Sequence, residues 1–277
     1  MKVENRIDFV TIVSVKNANP NGDPSNSNRP RQLDDGRGEI SDVCIKRKIR
    51  NRLQDAGEKI FVQSTDRSDD GYTSLSKRAE CNEALKEAKK TKDITKYIEA
   101  ANKEFIDTRL FGQVFAFKGS DMSVGIRGAV TIQPAFSVDE IYTTTSSIVK
   151  SVNSEEKAGK ASDTMGEKHR VDFGLYVVRG SVNARIAEKN GVSREDIDKM
   201  LYAVKTMFVN DETSARPAGS MNVEKTFVFE HHSLDGDYSP KEVFETVHIT
   251  RIDDQPNDVS DYEISVKKLD NLEYIEM

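Results

Sequence analysis

The sequence predicts an α+β fold with a split β-α-β, ferredoxin-like core, and three observations lead there. A strand, a loop and a helix open the chain, and the order strand, helix, strand returns in its second half. Between the halves, from Ser76 to Phe111, Ala, Lys and Glu dominate and apolar residues recur at helical spacing, as in an insertion on a sheet core. From Lys150 to Arg170 the chain is polar for about twenty residues, too long for an ordinary connection.

The opening strand is Ile7 to Val15. Ile7, Phe9, Val13 and Val15 alternate with polar residues, while Val10 and Ile12 add a second apolar face at the centre. Such a strand sits inside a sheet. The loop Asn17 to Gly38 bends by separate means: Pro fixes φ, Gly permits positive φ, and Asn or Asp bonds its own main chain. A helix from Ser41 to Ala56 follows, with Ile45, Ile49, Leu53 and Ala56 as its packing stripe. Lys46, Arg47, Lys48, Arg50 and Arg52 are expected along the flanks and outward. Eight Lys or Arg lie between Arg29 and Arg52, against Asp34, Asp35, Glu39 and Asp42. A ridge of this kind suits a row of phosphates, and a solvated helix face is its bland counterpart.

Lys59 to Gln63 reads as a short strand. Asp107 and Arg109, flanking apolar residues before Gly112, read as a structural ion pair. Met122 to Ile132 is extended, and Gly125 and Gly128 bracket Arg127, a candidate phosphate contact, because glycine within a strand marks a close approach by backbone or ligand. Val130, Ile132 and Phe136 continue a strand ahead of the polar tract Thr143 to Ser147. Leu175 to Ala184 is the next strand. Ser193 caps a helix striped by Ile197, Met200, Leu201, Val204 and Phe208. Val223 to Glu230 is a strand with Phe227 and Phe229 opposite Val228.

The chain has 277 residues, is 32% charged and carries a net charge of −6, which excludes a general polybasic binder. Charge is segregated: Asp237 to Met277 holds eleven acids against Lys241, Arg251, Lys267 and Lys268. An acidic end could meet the basic beginning of a neighbouring copy, or merely solubilise. Cys44 and Cys81 lack metal-ligand spacing and read as reduced thiols of a cytoplasmic protein. No apolar run has signal-peptide form or membrane-spanning length. No cofactor and no metal site is expected.

The motifs carry a resemblance. Asn17-Ala18-Asn19-Pro20-Asn21-Gly22-Asp23-Pro24, Asn28-Arg29-Pro30-Arg31 and Ser41 to Arg50 resemble the backbone subunit of type I CRISPR Cascade complexes. The type I-C form, within the RAMP superfamily, is most similar. The likeness continues through Asp107 to Gly112, Gly128-Ala129-Val130, Met165 to His169, Gly174-Leu175-Tyr176 and Phe229-Glu230-His231, and so spans most of the chain.

The resemblance implies a non-enzymatic RNA-binding protein of antiviral defence. Its partners would be the CRISPR guide RNA, target DNA through that guide, further copies of itself in a helical filament, and other Cascade subunits. It also implies an RRM-like palm with a helical fingers insertion and a protruding thumb loop. On this chain, residues 1–58 are the first palm half, 59–117 the fingers, 118–142 a palm strand region, 143–170 the thumb, and 171–277 the second palm half with the acidic C-terminal region. The expected RNA contacts are Lys46, Arg47 and Arg50 from the helix, Arg29 and Arg31 from the loop, Asn19 and Asn21 through their amides, and Arg127. In the thumb they are Lys168 and His169 beside the RNA backbone, and Met165 as a wedge against a splayed base or as ordinary packing. Base stacking on the sheet is not expected, since the opening strand offers only Phe9.

Two enzymatic readings compete. A RAMP endoribonuclease would use Asp23, Asp34 and Asp35 near bound RNA, although Asp23-Pro24 and Asp35-Gly36 are also ordinary turn dipeptides. A metallohydrolase would use His231 and His232 with Asp235 or Asp237, and is weaker because neighbours on a strand face opposite ways.

Overall fold

β1 (Ile7–Ala18) lies in the interior of the sheet because it is apolar on both faces. Ile7, Phe9, Val13 and Val15 enter the main core, while Val10 and Ile12 enter two smaller clusters on the opposite face. The computed structural model describes residues 1–117, 122–149 and 165–277. Among them it is a mixed α and β protein with a central antiparallel sheet and eight α-helices.

After β1, two-residue strands β2 (Gly22–Asp23) and β3 (Arg29–Pro30) pair with each other, and β4 (Arg37–Ile40) joins the edge of the main sheet. α1 (Asp42–Asp55) begins where the Ser41 side chain accepts the Cys44 amide, and buries Ile45, Ile49 and Leu53. The helical block comprises α2 (Leu75–Cys81), α3 (Glu83–Lys90), α4 (Ile94–Glu104) and α5 (Ile106–Phe111), closed by the hairpin β5 (Gly112–Ala116) and β6 (Ser123–Arg127). It has its own core, built on Phe61, Leu85, Tyr97, Phe105, Phe115 and Val124. Lys59 to Gln63 is not the expected strand. Its amides at Phe61 and Val62 go instead to the Asp107 carboxylate, at 2.7 and 3.1 Å.

β7 (Val130–Ile132), β8 (Ala135–Glu140) and β9 (Thr143–Val149) each pair with β10 (Met165–Val182). β10 departs from expectation at both ends. It starts at Met165 rather than Leu175, because β9 continues the ladder outward from Thr143 opposite Val171 to Val149 opposite Met165. The expected thumb loop is therefore a two-stranded arm over the described residues; Lys150 to Thr164 lie outside them. β10 ends at Val182, because the Asn183 side chain accepts the Ile186 amide and starts α6 (Ala184–Asn190).

α7 (Arg194–Lys205) opens with a capping box of Ser193 and Asp196. β11 (Met221–Glu230) runs antiparallel to β1, its Phe227 and Phe229 on one face and Val228 on the other. The acidic C-terminal region is more than a tail. Through α8 (Pro240–Phe244) and the hairpin β12 (Val247–Arg251) with β13 (Tyr262–Val266), it lays Val243, Phe244, Tyr262 and Leu272 across the sheet. β14 (Tyr274–Glu276) then pairs with β11. The sheet order is β14-β11-β1-β10-β8-β4.

Both faces of the sheet are thus covered at its centre. Phe9 turns toward the main core, over Gly180, where an added Cβ would stand 2.1 Å from the ring. Its ring is not available to a base.

Candidate nucleic-acid interface

α1 does not present the outward basic ridge expected of it. Arg50 is buried and donates from Nε to Asp107 at 2.9 Å. Lys48 is buried on Asp211, and burial, only partly offset by that carboxylate, lowers its pKa. Lys46 pairs with Asp42 one turn back at 2.9 Å, Arg47 donates to the Val62 carbonyl at 2.5 Å, and Arg52 donates to Thr206 Oγ1 at 3.0 Å. The cause is tertiary. α1 runs beside the helical block on one flank and α7 with its following loop on the other, so cations beside the apolar stripe meet partners from both.

Asp107 and Arg109 do not form the expected ion pair with each other; Asp107 pairs with Arg50. Arg109 instead grips Asp196 at 2.7 and 3.1 Å, linking α5 to α7.

The loop residues divide. Asn21 holds the fold together: its Oδ1 accepts the Ser41 amide and hydroxyl at 2.9 and 2.8 Å, fixing the start of α1. Asn19 is buried; its Nδ2 donates to the Asn28 carbonyl at 2.7 Å, and its Oδ1 has no partner among the described residues. Arg31 stands 3.9 Å from Asp23, its Nε buried and without a partner among the described residues. Arg29 is half-buried, and its side chain has no partner among the described residues.

Arg127 is exposed, likewise without a side-chain partner there, at the end of β6 where its carbonyl accepts Asn190 Nδ2 at 2.8 Å. On the arm, strand alternation separates what the sequence had set side by side. Lys168 and Arg170 are exposed on one face. His169 is buried on the other, its Nδ1 2.9 Å from Thr145 Oγ1, and so is not free to lie beside an RNA backbone. Met165 is 77% exposed, so packing among the described residues does not account for it.

Sequence reasoning missed Arg216. Its Nε donates to Asp211 at 2.9 Å, so that Arg216 and Lys48 share one carboxylate, and both act with Arg31 on the thiol of Cys44. Topology held the signal. The loop from 211 to 220 leads into β11, which pairs with β1, and must therefore come back beside the loop that leaves β1.

Two of the three acids of the nuclease reading build turns: Asp23 accepts the Ser25 amide at 3.0 Å, and Asp35 accepts the Arg37 amide and Nε at 3.1 and 2.8 Å, while Asp34 is exposed. His231 is buried, with Nε2 2.9 Å from Asp8 and Nδ1 accepting the Asp237 amide at 2.8 Å, whereas His232 is exposed. Asp235 pairs with Arg185. Among the described residues no group of three or more His, Cys, Asp or Glu is placed to hold a metal ion.

A two-faced covered sheet, a separately cored helical block and a projecting arm define an α and β scaffold in which Arg29 of the loop and Lys168 and Arg170 of the arm have no side-chain partner among the described residues. The sequence pattern of the family described as CRISPR-associated protein Cas7 matches residues 5–267. The chain belongs to that family. A CRISPR-associated protein Cas7 of Haloferax volcanii is 26% identical over 239 residues, covering 79% of this chain and 68% of the relative. The fold resembles a chain of a CRISPR RNA-guided surveillance complex in a pre-nicking state, with TM-score 0.51, 15% identity, and coverage of 87% of this chain and 82% of the other. A second CRISPR RNA-guided surveillance complex gives TM-score 0.50 at 18% identity, covering 87% and 74%. Among the described residues no helix is long and apolar enough to cross a membrane.

Proposed function

We propose that this chain is a non-catalytic backbone subunit that binds CRISPR guide RNA, oligomerises along it within a Cascade surveillance complex, and presents it for pairing with target DNA in antiviral defence. Membership of the Cas7 family carries the reading. In it, β11, β1, β10 and β8 with α1 and α7 are an RRM-like, ferredoxin-like palm, the strands lying in the order fourth, first, third, second of a split β-α-β unit. The block from 59 to 117, extended by β6, is the fingers, and residues 143–170 are the thumb. The protein works in the cytoplasm, in the type I-C manner.

The covered sheet supports a phosphate-directed mode of binding in place of base stacking. Contacts to phosphate hold any guide sequence in register, while base pairing does the reading. Lys168 and Arg170 on the arm, Met165 near its described end, and Arg29, Arg31 and Arg127 are the contacts this reading retains. A head-to-tail contact between copies that does not close yields an open helix, the form needed to tile a linear RNA.

Electron microscopy of the purified protein with a long single-stranded RNA, beside a gel that follows RNA length, tests this. Regular filaments on intact RNA are expected. Shortened RNA without filaments would replace the reading with the nuclease one.

A further inference from the structure

Two loops meet where β1 ends. One leaves β1 through Asn19 and reaches Arg31; the other, residues 211 to 220, enters β11. They are joined by main-chain bonds from Asn19 N to the Ala215 carbonyl at 2.9 Å and from Lys16 N to the Ser220 carbonyl at 2.8 Å. Arg31, Lys48 and Arg216 gather at this seam, all acting on the Cys44 thiol, whose pKa burial nonetheless raises. Among the described residues the carboxylates paired with them are Asp211 and, at 3.9 Å from Arg31, Asp23, while Glu212 of the same loop is exposed and pairs with none of the three. Three cations thus share the two carboxylates they pair with, and the Arg29 side chain has no partner among the described residues.

The same seam holds polar atoms that the described residues leave unsatisfied. Asn19 is 5% exposed and its Oδ1 has no partner; Ser220 is 8% exposed and its Oγ has none; the Arg31 Nε is also buried and unpartnered. An orphaned buried polar group costs free energy, so their gathering beside an excess of cations calls for a ligand that supplies the missing bonds. Asn19 Oδ1 requires a donor. A backbone phosphate has none, and neither has deoxyribose, whereas the ribose 2′-hydroxyl is a donor that every RNA nucleotide carries whatever its base.

Resting on the guide-binding reading above, we propose that this seam seats one guide nucleotide and distinguishes RNA from DNA. Arg31 and Arg216 take its phosphate, and the Asn19 side-chain carbonyl accepts its 2′-hydroxyl. Asp211 is the built-in counterion: seating the guide shifts the 211 to 220 loop as a phosphate takes over Arg216.

The test uses the full chain and a labelled single-stranded RNA, compared by fluorescence anisotropy with the same sequence as DNA and as 2′-fluoro RNA, which lacks the 2′-hydroxyl donor. The 2′-fluoro strand is expected to bind roughly three- to tenfold more weakly than RNA, the value of one lost hydrogen bond. A folded Asn19→Ala variant should bind RNA and 2′-fluoro RNA alike. Arg216→Gln should weaken RNA, 2′-fluoro RNA and DNA by a similar factor. Equal binding of the RNA and 2′-fluoro strands by the unaltered protein overturns the proposal without need of a variant, as does a 2′-fluoro penalty that survives in Asn19→Ala. An unaltered protein that binds no RNA at all overturns the guide-binding reading itself, a separate outcome.

Discussion

Asp107 accepts Arg50 Nε at 2.9 Å across 57 residues of sequence, the carboxylate fully buried and the guanidinium nearly so. The same carboxylate takes the amides of Phe61 and Val62. One acid therefore joins α1, the segment entering the helical block, and α5, and the cation that the sequence offers to RNA is the pin of that joint.

Removing Asp107 leaves a buried cation, the buried Phe61 amide and the half-buried Val62 amide without that acceptor. Asp107→Ala should lower stability by about 3–5 kcal/mol, the usual cost of breaking a buried pair from one side. Arg50→Ala should also destabilise in urea, while its folded fraction keeps RNA affinity. An Arg50→Ala protein of unchanged stability that has lost RNA binding would restore Arg50 to the interface.

Gly125 and Gly128, three residues apart in the same extended run, should answer differently to alanine. A Cβ at Gly128 would lie 2.2 Å from the Phe111 carbonyl carbon and 2.5 Å from the Gly112 nitrogen, both main chain, whereas among the described residues nothing stands within 4 Å of one at Gly125. Gly128→Ala is expected to cost about 1–3 kcal/mol or more, because neither backbone can yield cheaply, and Gly125→Ala to fall within about 0.5 kcal/mol of the unaltered protein. Thermal melting of the two variants checks both; equal melting points would remove the close approach as the reason for Gly128.

Much of the frame was legible in the sequence. β1, α1, α7 and β11 announce themselves because period 2 or 3.6 coincides with a cap or a turn, as at Ser41 and Ser193. What the sequence hides is who neutralises whom. Arg50 looks free until Asp107 arrives from the helical block, and Lys48 until Asp211 returns from 163 residues away. The inner part of the arm was hidden too, since residues 165 to 170 lack an apolar row and are extended because β9 pairs with them. In the C-terminal region the density of acids masked Val243, Phe244, Tyr262 and Leu272, which cover the sheet. Arg216 stayed unseen because a loop shows its neighbours only once the strands are ordered.

Lys168 and Arg170 share the exposed face of the arm, and no side-chain partner holds either among the described residues. Changing both to Ala should weaken unrelated RNA sequences by similar factors and reduce the slope of log affinity against log salt by about 1.4, at about 0.7 per phosphate contact on a single strand. Stability should stay within about 0.5 kcal/mol. A loss confined to particular RNA sequences, seen across a salt series, would contradict phosphate contact.

The Arg109–Asp196 pair makes stability depend on acid in a stated direction. Burial alone would raise the Asp196 pKa. Hydrogen bonds from Arg109 and from the Ser193 main chain and hydroxyl outweigh it, and the folded value lies below the ordinary one. A depressed folded pKa means that the unfolded chain takes up the proton first as pH falls. The pair's contribution is therefore complete above the unfolded carboxylate value of about 3.9, and is lost as pH drops from there through the folded pKa. Asp196→Asn cannot ionise, so the variant should be less stable near neutrality and show a shallower fall in stability below about pH 4 than the unaltered protein. Urea unfolding midpoints at a series of pH values measure this, and parallel curves for the two proteins would show that Asp196 gains nothing from Arg109 on folding. The capping box at Ser193 provides a control, because Ser193→Ala removes the hydroxyl that helps to lower the Asp196 pKa, and with it the acceptor of the Asp196 main-chain amide, while leaving Arg109 in place. Its pH profile should lie between the other two, since the carboxylate keeps its guanidinium partner and loses only part of what lowers its pKa.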